Sequence, residues 1–217
     1  SYDCGRGPGC RNGTGNGLGK EVTMTALSDI FTYLIYVFFG LYILAMLLRF
    51  LLQAVRADFY NPISQSLVKV TNPLVIPLRK ILPGFGGLDL ASLLLALILQ
   101  ILMVTLLVLI QTGAMLAPLP LLLVGVLGLA SYLLKIYFFA LLAMIVLSWI
   151  APGGNHPALY LLHQITEPVM APFRKVLPSM GGLDFSPILV FIIINVLQIV
   201  LRNLAFSLGI LGLVPWL

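Results

Sequence analysis

Four apolar stretches dominate this sequence of 217 residues and leave few folds open to it. They run from Ile30 to Leu52, from Leu90 to about Ile110, within Leu121–Ile150, and from Pro187 to about Leu208. A helix needs about 20 mostly apolar residues to cross the hydrocarbon core of a bilayer, and each stretch supplies that. Only 9% of the residues are charged, against roughly a quarter in a soluble domain. Such a chain cannot cover itself with polar surface, so lipid must solvate much of it. In lipid the backbone must satisfy its own hydrogen bonds, and continuous apolar runs of this length do so as helices. The expected fold is an all-α, polytopic membrane protein with about four transmembrane helices. The third stretch exceeds one straight crossing but is too short for two and a turn. It predicts one long or tilted helix, or a short interfacial helix at 121–130 followed by the span.

The second constraint is an internal duplication. Residues 61–90, NPISQSLVKVTNPLVIPLRKILPGFGGLDL, align without a gap with residues 156–185, HPALYLLHQITEPVMAPFRKVLPSMGGLDF, at an offset of 95. Identities include Thr71/Thr166, Pro73/Pro168, Pro77/Pro172, Arg79/Arg174, Lys80/Lys175, Gly86/Gly181, Gly87/Gly182 and Asp89/Asp184. Prolines and glycines in register over this length mark a repeated unit of span, Pro-rich amphipathic segment, span. The chain then divides into a first repeat at 24–118 and a second at 119–217. With four spans, both Pro-rich segments fall on one side, which makes the repeats parallel. Arg56, Lys69, Arg79, Lys80, Arg174 and Lys175 flank spans on that side, while the 113–119 hairpin carries no Lys or Arg. The positive-inside rule places the Pro-rich segments in the cytoplasm and both termini in the periplasm of a bacterial inner membrane.

Each Pro-rich segment is expected to form two short helices. Asn61 can cap the first, with Pro62 in its opening turn. That helix should stop near Asn72, because a proline disfavours helix in the residue before it. A second should start at Pro73, kink at Pro77 and end at Pro83. Apolar residues beside Arg79 and Lys80, or Arg174 and Lys175, suit a helix at headgroup level. These four cations are candidate contacts for anionic lipid headgroups or a partner protein, beside the plainer reading of membrane-surface packing. Asp89 and Asp184 follow the Gly-Gly corners and fit helix N-caps better than a proton or cation pair. Within the spans, Gln100 and Asn195 occupy equivalent repeat positions and can join helices by hydrogen bonds. Lys135 and Arg202 lie in later apolar stretches and are expected to snorkel outward, although an intramembrane cation is also a functional candidate.

Other chemistry is excluded. The net charge of +5 sits beside spans and not on a basic face, so nucleic acid is not an expected partner. Cys4 and Cys10 cannot form a zinc site alone, and His156 and His163 lack a matching nucleophile or ligand set. The Gly-Gly turns lack the GxxxxGK[ST] context of a phosphate loop, and no HExxH or GxSxG motif occurs. No catalytic, cofactor or metal site is expected. Residues 1–23 are Gly-rich without apolar periodicity. They predict a disordered extension that is not native, with Met24 as the natural start.

The paired segments with PLRKILPGFGGLDLAS and PFRKVLPSMGGLDFSP, preceded by LRFLLQAVRADFY, resemble the YggT family of integral membrane proteins, which includes YlmG proteins. The resemblance covers residues 24–217. It implies roles in osmotic or extracytoplasmic stress and ion homeostasis, or in division and cytochrome complex assembly, and no catalytic residues to carry over. The functional expectation is a non-enzymatic inner-membrane protein that organises lipids or partner proteins. The alternatives are an oligomeric ion or solute pathway, which would make the chain a homo-oligomer, and a membrane-complex assembly or division factor.

Overall fold

A computed structural model describes residues 15–80, 89–150, 156–176 and 186–213. These residues form α1 (Gly15–Ala54), α2 (Pro62–Arg79), α3 (Leu90–Thr112), α4 (Pro118–Ile150), α5 (Pro157–Val176) and α6 (Ser186–Ser207), with a 3-10 turn at Leu211–Leu213. No strand occurs among them. Four helical stretches are long and apolar enough to cross a membrane: Ala26–Ala54, Leu90–Thr112, Pro118–Ile150 and Ser186–Ser207. The fold is the expected all-α, four-span architecture in two tandem units.

The third apolar stretch is one helix. α4 has 33 residues, about 50 Å at 1.5 Å per residue, well beyond the ~30 Å hydrocarbon core. No separate interfacial helix interrupts it at 121–130. Pro118 and Pro120 sit in its opening turn, where the missing N–H costs nothing. α1 starts at Gly15, so residues 15–23, expected to be unstructured, continue the first helix. Residues 1–14, with Cys4 and Cys10, lie outside the described residues.

The Pro-rich segments differ from expectation more sharply. Neither breaks into two helices. α2 runs through Pro73 and Pro77, and α5 runs through Pro168 and Pro172. A proline inside a helix deprives the carbonyl four residues earlier of its partner and crowds it. In a membrane protein such helices survive where neighbouring helices and Ser or Thr side chains serve the disturbed turn. That happens here. The Tyr42 hydroxyl donates to the Val70 carbonyl at 3.3 Å, and Arg49 reaches the Val68 carbonyl at 3.4 Å. The Thr71 hydroxyl donates to the Leu67 carbonyl at 2.8 Å, and Thr166 repeats this on Leu162 at 2.8 Å. Local sequence rules could not see Tyr42 and Arg49, because both come from α1.

α3 is central. It packs against α1 on one side and α4 on the other, and α6 packs against α4. Small residues set the approach. Ala91, Ser92 and Ala96 are buried along α3, and Gly125 and Gly128 are buried on the facing side of α4. Tyr132 of α4 ties back to α1 by donating to the Gly40 carbonyl at 2.8 Å. α2 crosses α1 and α3 with Ser64, Thr71 and Val75 on its buried face. The two Pro-rich helices meet: Asn61 donates from Nδ2 to the Pro157 carbonyl at 2.8 Å, and the Asp58 N–H donates to Gln164 Oε1 at 3.2 Å. α2 and α5 therefore share one end of the four-span bundle, as parallel repeats require.

Candidate functional site

The polar centre of the first unit forms where three helices converge. Asp89 is the N-cap of α3 and accepts from the Ser92 N–H and, at 2.6 Å, from the Ser92 hydroxyl. Two arginines share its carboxylate. Arg49, near the end of α1, donates from Nε to Oδ2 at 3.3 Å. Arg79, in the last turn of α2, donates from Nη2 to Oδ2 and from Nε to Oδ1. Arg49 and Asp89 are 4% and 1% exposed, whereas Arg79 is 40% exposed. Arg49 also donates from Nη1 to Thr71 Oγ1 at 2.6 Å and to Asn72 Oδ1 at 2.9 Å. Arg79 donates further to Gln53 Oε1 at 3.0 Å. One carboxylate thus joins the ends of α1 and α2 to the start of α3. Burial pushes the Asp89 carboxyl up, but the bonds from Arg79 and Ser92 and the Arg79 charge outweigh that and hold it below the usual carboxylate range.

Beside this brace lies a cavity of about 470 Å³ lined by Arg49, Gln53, Arg56, Phe59 and Arg79 among others. Arg56 takes part through an unusual backbone. Its φ is 52°, in the left-handed region that normally selects glycine. The Arg56 N–H bonds the Gln53 carbonyl and the Ala57 N–H bonds the Leu52 carbonyl, which closes α1 in a Schellman turn. A side chain there costs roughly 1–2 kcal/mol. The result is an exposed guanidinium on the wall of an arginine-lined cavity. Three arginines line the cavity, and Asp89 is bonded to two of them, so among the described residues positive charge exceeds negative there.

The second unit is built on the same plan with different chemistry. The counterpart of Thr71 is Thr166, whose hydroxyl lies 3.3 Å from Met144 Sδ. Met144 stands where the first unit has Arg49, since 49 plus 95 is 144. Glu167 replaces Asn72 and accepts two bonds from Arg174 Nη1, at 3.0 and 2.8 Å. His163 Nε2 lies 3.6 Å from the same carboxylate. Asp184 and both Gly-Gly corners lie outside the described residues.

The sequence candidates are distributed accordingly. Arg79 and Asp89 come together, and Arg174 pairs with Glu167. Lys80 and Lys175 are exposed at the ends of α2 and α5. Gln100 is fully buried in α3 beside Gly128, and neither its Nε2 nor its Oε1 has a partner among the described residues. Its repeat counterpart, Asn195, is exposed on α6 and donates to its own helix at Phe191. Lys135 is half-buried on α4, and Arg202 is exposed on α6. Among the described residues no group of three or more His, Cys, Asp or Glu is placed to hold a metal ion. Sequence reasoning missed the roles of Arg49, Gln53, Asn72 and Arg56. Arg49 offered a signal: it is a cation enclosed by apolar neighbours, Leu47, Leu48, Phe50 and Leu51.

Comparison with known proteins accounts for the duplication. The CCB3/YggT family matches the chain twice, at residues 28–110 and 123–205. The two matches start 95 residues apart (123 minus 28), the offset read from the repeat. A protein of Pseudomonas aeruginosa is 47% identical over 190 residues, which is 86% of this chain and 95% of that protein. YggT of Escherichia coli is 38% identical over 168 residues, 77% of this chain and 86% of YggT. Ycf19 of Guillardia theta is 36% identical over 76 residues, 34% of this chain and 82% of ycf19, a stretch close to one repeat in length. No solved structure matches. With both units matched, each around a Pro-rich helix that ends at its Arg-Lys pair, the chain belongs to the CCB3/YggT family.

Proposed function

We propose that this protein is a non-enzymatic scaffold of the bacterial inner membrane that gathers anionic lipid at the arginine cavity of its first unit. The supporting observation is the cavity itself, with Arg49, Arg56 and Arg79 on its walls and Asp89 as the one buried carboxylate among the described residues. Arg49 and Arg79 are held by Asp89, whereas Arg56 is exposed and makes no ion pair among the described residues. A planar guanidinium binds phosphate oxygens in a bidentate fork. Each Lys or Arg near an anionic leaflet contributes about 1 kcal/mol. Lys80 stands at the end of the same helix and adds to the field. Ile63, Val70, Leu74 and Ile76 are exposed on α2, the apolar surface that a helix at the acyl–headgroup boundary presents. The positive-inside rule puts this end in the cytoplasm. Lipid organisation of this kind is the activity we assign to osmotic or envelope-stress tolerance.

The test compares lipids retained through purification and scored by native mass spectrometry. The wild type is expected to hold phosphatidylglycerol over phosphatidylcholine, and Arg56→Gln with Lys80→Gln to lose that preference. Equal retention of both lipids by the wild type would defeat the reading. Stress survival of cells carrying only the double variant connects the site to physiology.

A second reading has its own observation. Asn195 and Arg202 lie seven residues apart, on one face of α6, and both are exposed along a span. Polar groups on a lipid-facing surface are expensive, and association of copies through α6 would bury them around an ion or solute path. Ion flux into liposomes that disappears with Asn195→Leu and Arg202→Leu supports this reading; absence of flux from the wild type refutes it.

A further inference from the structure

The repeat offset links the arginine cavity to a second one. Arg49, Gln53, Val68 and Arg79 line the first. Their counterparts 95 residues on, Met144, Ser148, His163 and Arg174, all line a cavity of about 840 Å³ between the ends of α4, α5 and α6. The two cavities occupy the same place in the two units. What fills them differs. In the first, the Arg49 guanidinium occupies the space between α1 and α2, held by Thr71 and Asn72. In the second, an uncharged Met144 touches the equivalent threonine, and Ser148 is shorter than Gln53. Among the described residues, the space that the first unit uses for a structural ion pair is open in the second.

The walls of the open cavity are amphipathic. Met144, Ile145, Met170, Trp149 and Tyr160 line it, and two methionines give an adaptable apolar wall. Met170 is 1% exposed and forms the floor, while Trp149 and Tyr160 are 83% and 57% exposed and stand at the rim. Aromatic residues of this kind favour the boundary between acyl chains and headgroups. The charged and titratable nitrogen groups on the wall are Arg174, His156 and His163, and among the described residues no carboxylate lines it. Glu167 accepts from Arg174 and lies 3.6 Å from His163 Nε2, but it is not part of the lining. The volume falls within the ~300–1,000 Å³ of small-molecule sites.

We infer that the second unit's cavity binds one long-chain membrane amphiphile with an acidic head, its alkyl chain against Met144, Ile145 and Met170 and its head at Arg174 and the histidines. The two units would then divide the work: the first is braced and contacts headgroups from outside, and the second encloses a single amphiphile. The inference does not rest on the first unit's cavity, and Arg56→Gln should leave it intact.

Trp149 supplies the reporter. The sequence has two tryptophans, so Trp216→Phe makes Trp149 the only one. Full-length protein in micelles is titrated with 9,10-dibromostearate, whose bromines quench indole fluorescence on contact. Saturable quenching is expected. The uncharged methyl ester of the same acid should bind about tenfold or more weakly, a difference of roughly 1.4 kcal/mol. Met144→Arg, which restores the first unit's residue, and Ser148→Phe, which fills the space, should each abolish saturation and leave only the linear quenching of bulk micelle. Gel filtration identifies a variant that fails to fold, and the other then carries the test. Linear quenching in the parent protein, or saturation that survives Ser148→Phe in a folded protein, overturns the inference. Equal affinity for acid and ester overturns the role given to Arg174 and the histidines. Loss of phosphatidylglycerol preference in Arg56→Gln with saturation intact would separate the two sites.

Discussion

Replacing Asp89 by Asn tests the brace most directly. Asparagine keeps the shape and can still cap α3, so little capping energy is lost. What disappears is the only carboxylate bonded to Arg49 among the described residues, and Arg49 is 4% exposed. Removing one partner of a buried ion pair costs about 3–5 kcal/mol, because the other charge is stranded. Arg79 adds little to this, since at 40% exposure solvent can replace its partner. Arg49→Met, which copies the second unit, should cost less. Asp89 then keeps Arg79 and Ser92, and the loss is a few hydrogen bonds at Thr71 and Asn72, about 1–3 kcal/mol. The double variant removes the stranded cation together with its partner, so the two changes should not add, with a coupling of about 1–3 kcal/mol. Thermal unfolding in micelles reads these differences. On the scale for soluble chains of this size, 1 kcal/mol moves Tm by about 2–4 °C, so Asp89→Asn should lower it by about 6–20 °C. An Asp89→Asn protein no less stable than Arg49→Met, or additive effects in the double variant, would refute the reasoning.

Three further outcomes are expected. Because Asp89 has a folded pKa below its unfolded value, the stability it contributes is present above the ordinary aspartate pKa of about 3.9 and is lost as pH falls through the folded value. An acid titration of Tm should show that loss in the wild type and not in Asp89→Asn. Gly125→Ala places a Cβ 2.8 Å from Ile101 Cγ1 and 3.2 Å from Leu97 Cδ1, so α3 and α4 must shift at a cost of about 1–3 kcal/mol; an unchanged Tm would mean that the helices approach less closely than described. Gln100→Met replaces a fully buried amide that has no hydrogen-bond partner among the described residues, and should raise stability by about 1–3 kcal/mol; a loss in the same unfolding assay would mean that the amide is bonded in the membrane.

Much of the architecture was legible because its signals are local or periodic. Apolar runs of sufficient length specify spans whatever they pack against, and the offset of 95 needed only the chain compared with itself. The Asp89 cap could be read from the Gly-Gly corner before an apolar run. Three features were not legible, each for a physical reason. The first Pro-rich segment is a single helix in which Tyr42 and Arg49, from another helix, serve carbonyls near Pro73, and no rule confined to the segment can include those donors. Gln100 and Asn195 look equivalent in the repeat but differ in surroundings, since α3 lies between α1 and α4 while α6 has a free face. Finally, Arg49 and Met144 share a repeat position, yet only the fold brings one to Asp89 and leaves the other on the wall of an open cavity. The sequence by itself determined two copies of one membrane unit. The contacts between helices decided that a buried cation ties three helices together in the first copy, because the energy of such a charge depends on which groups surround it.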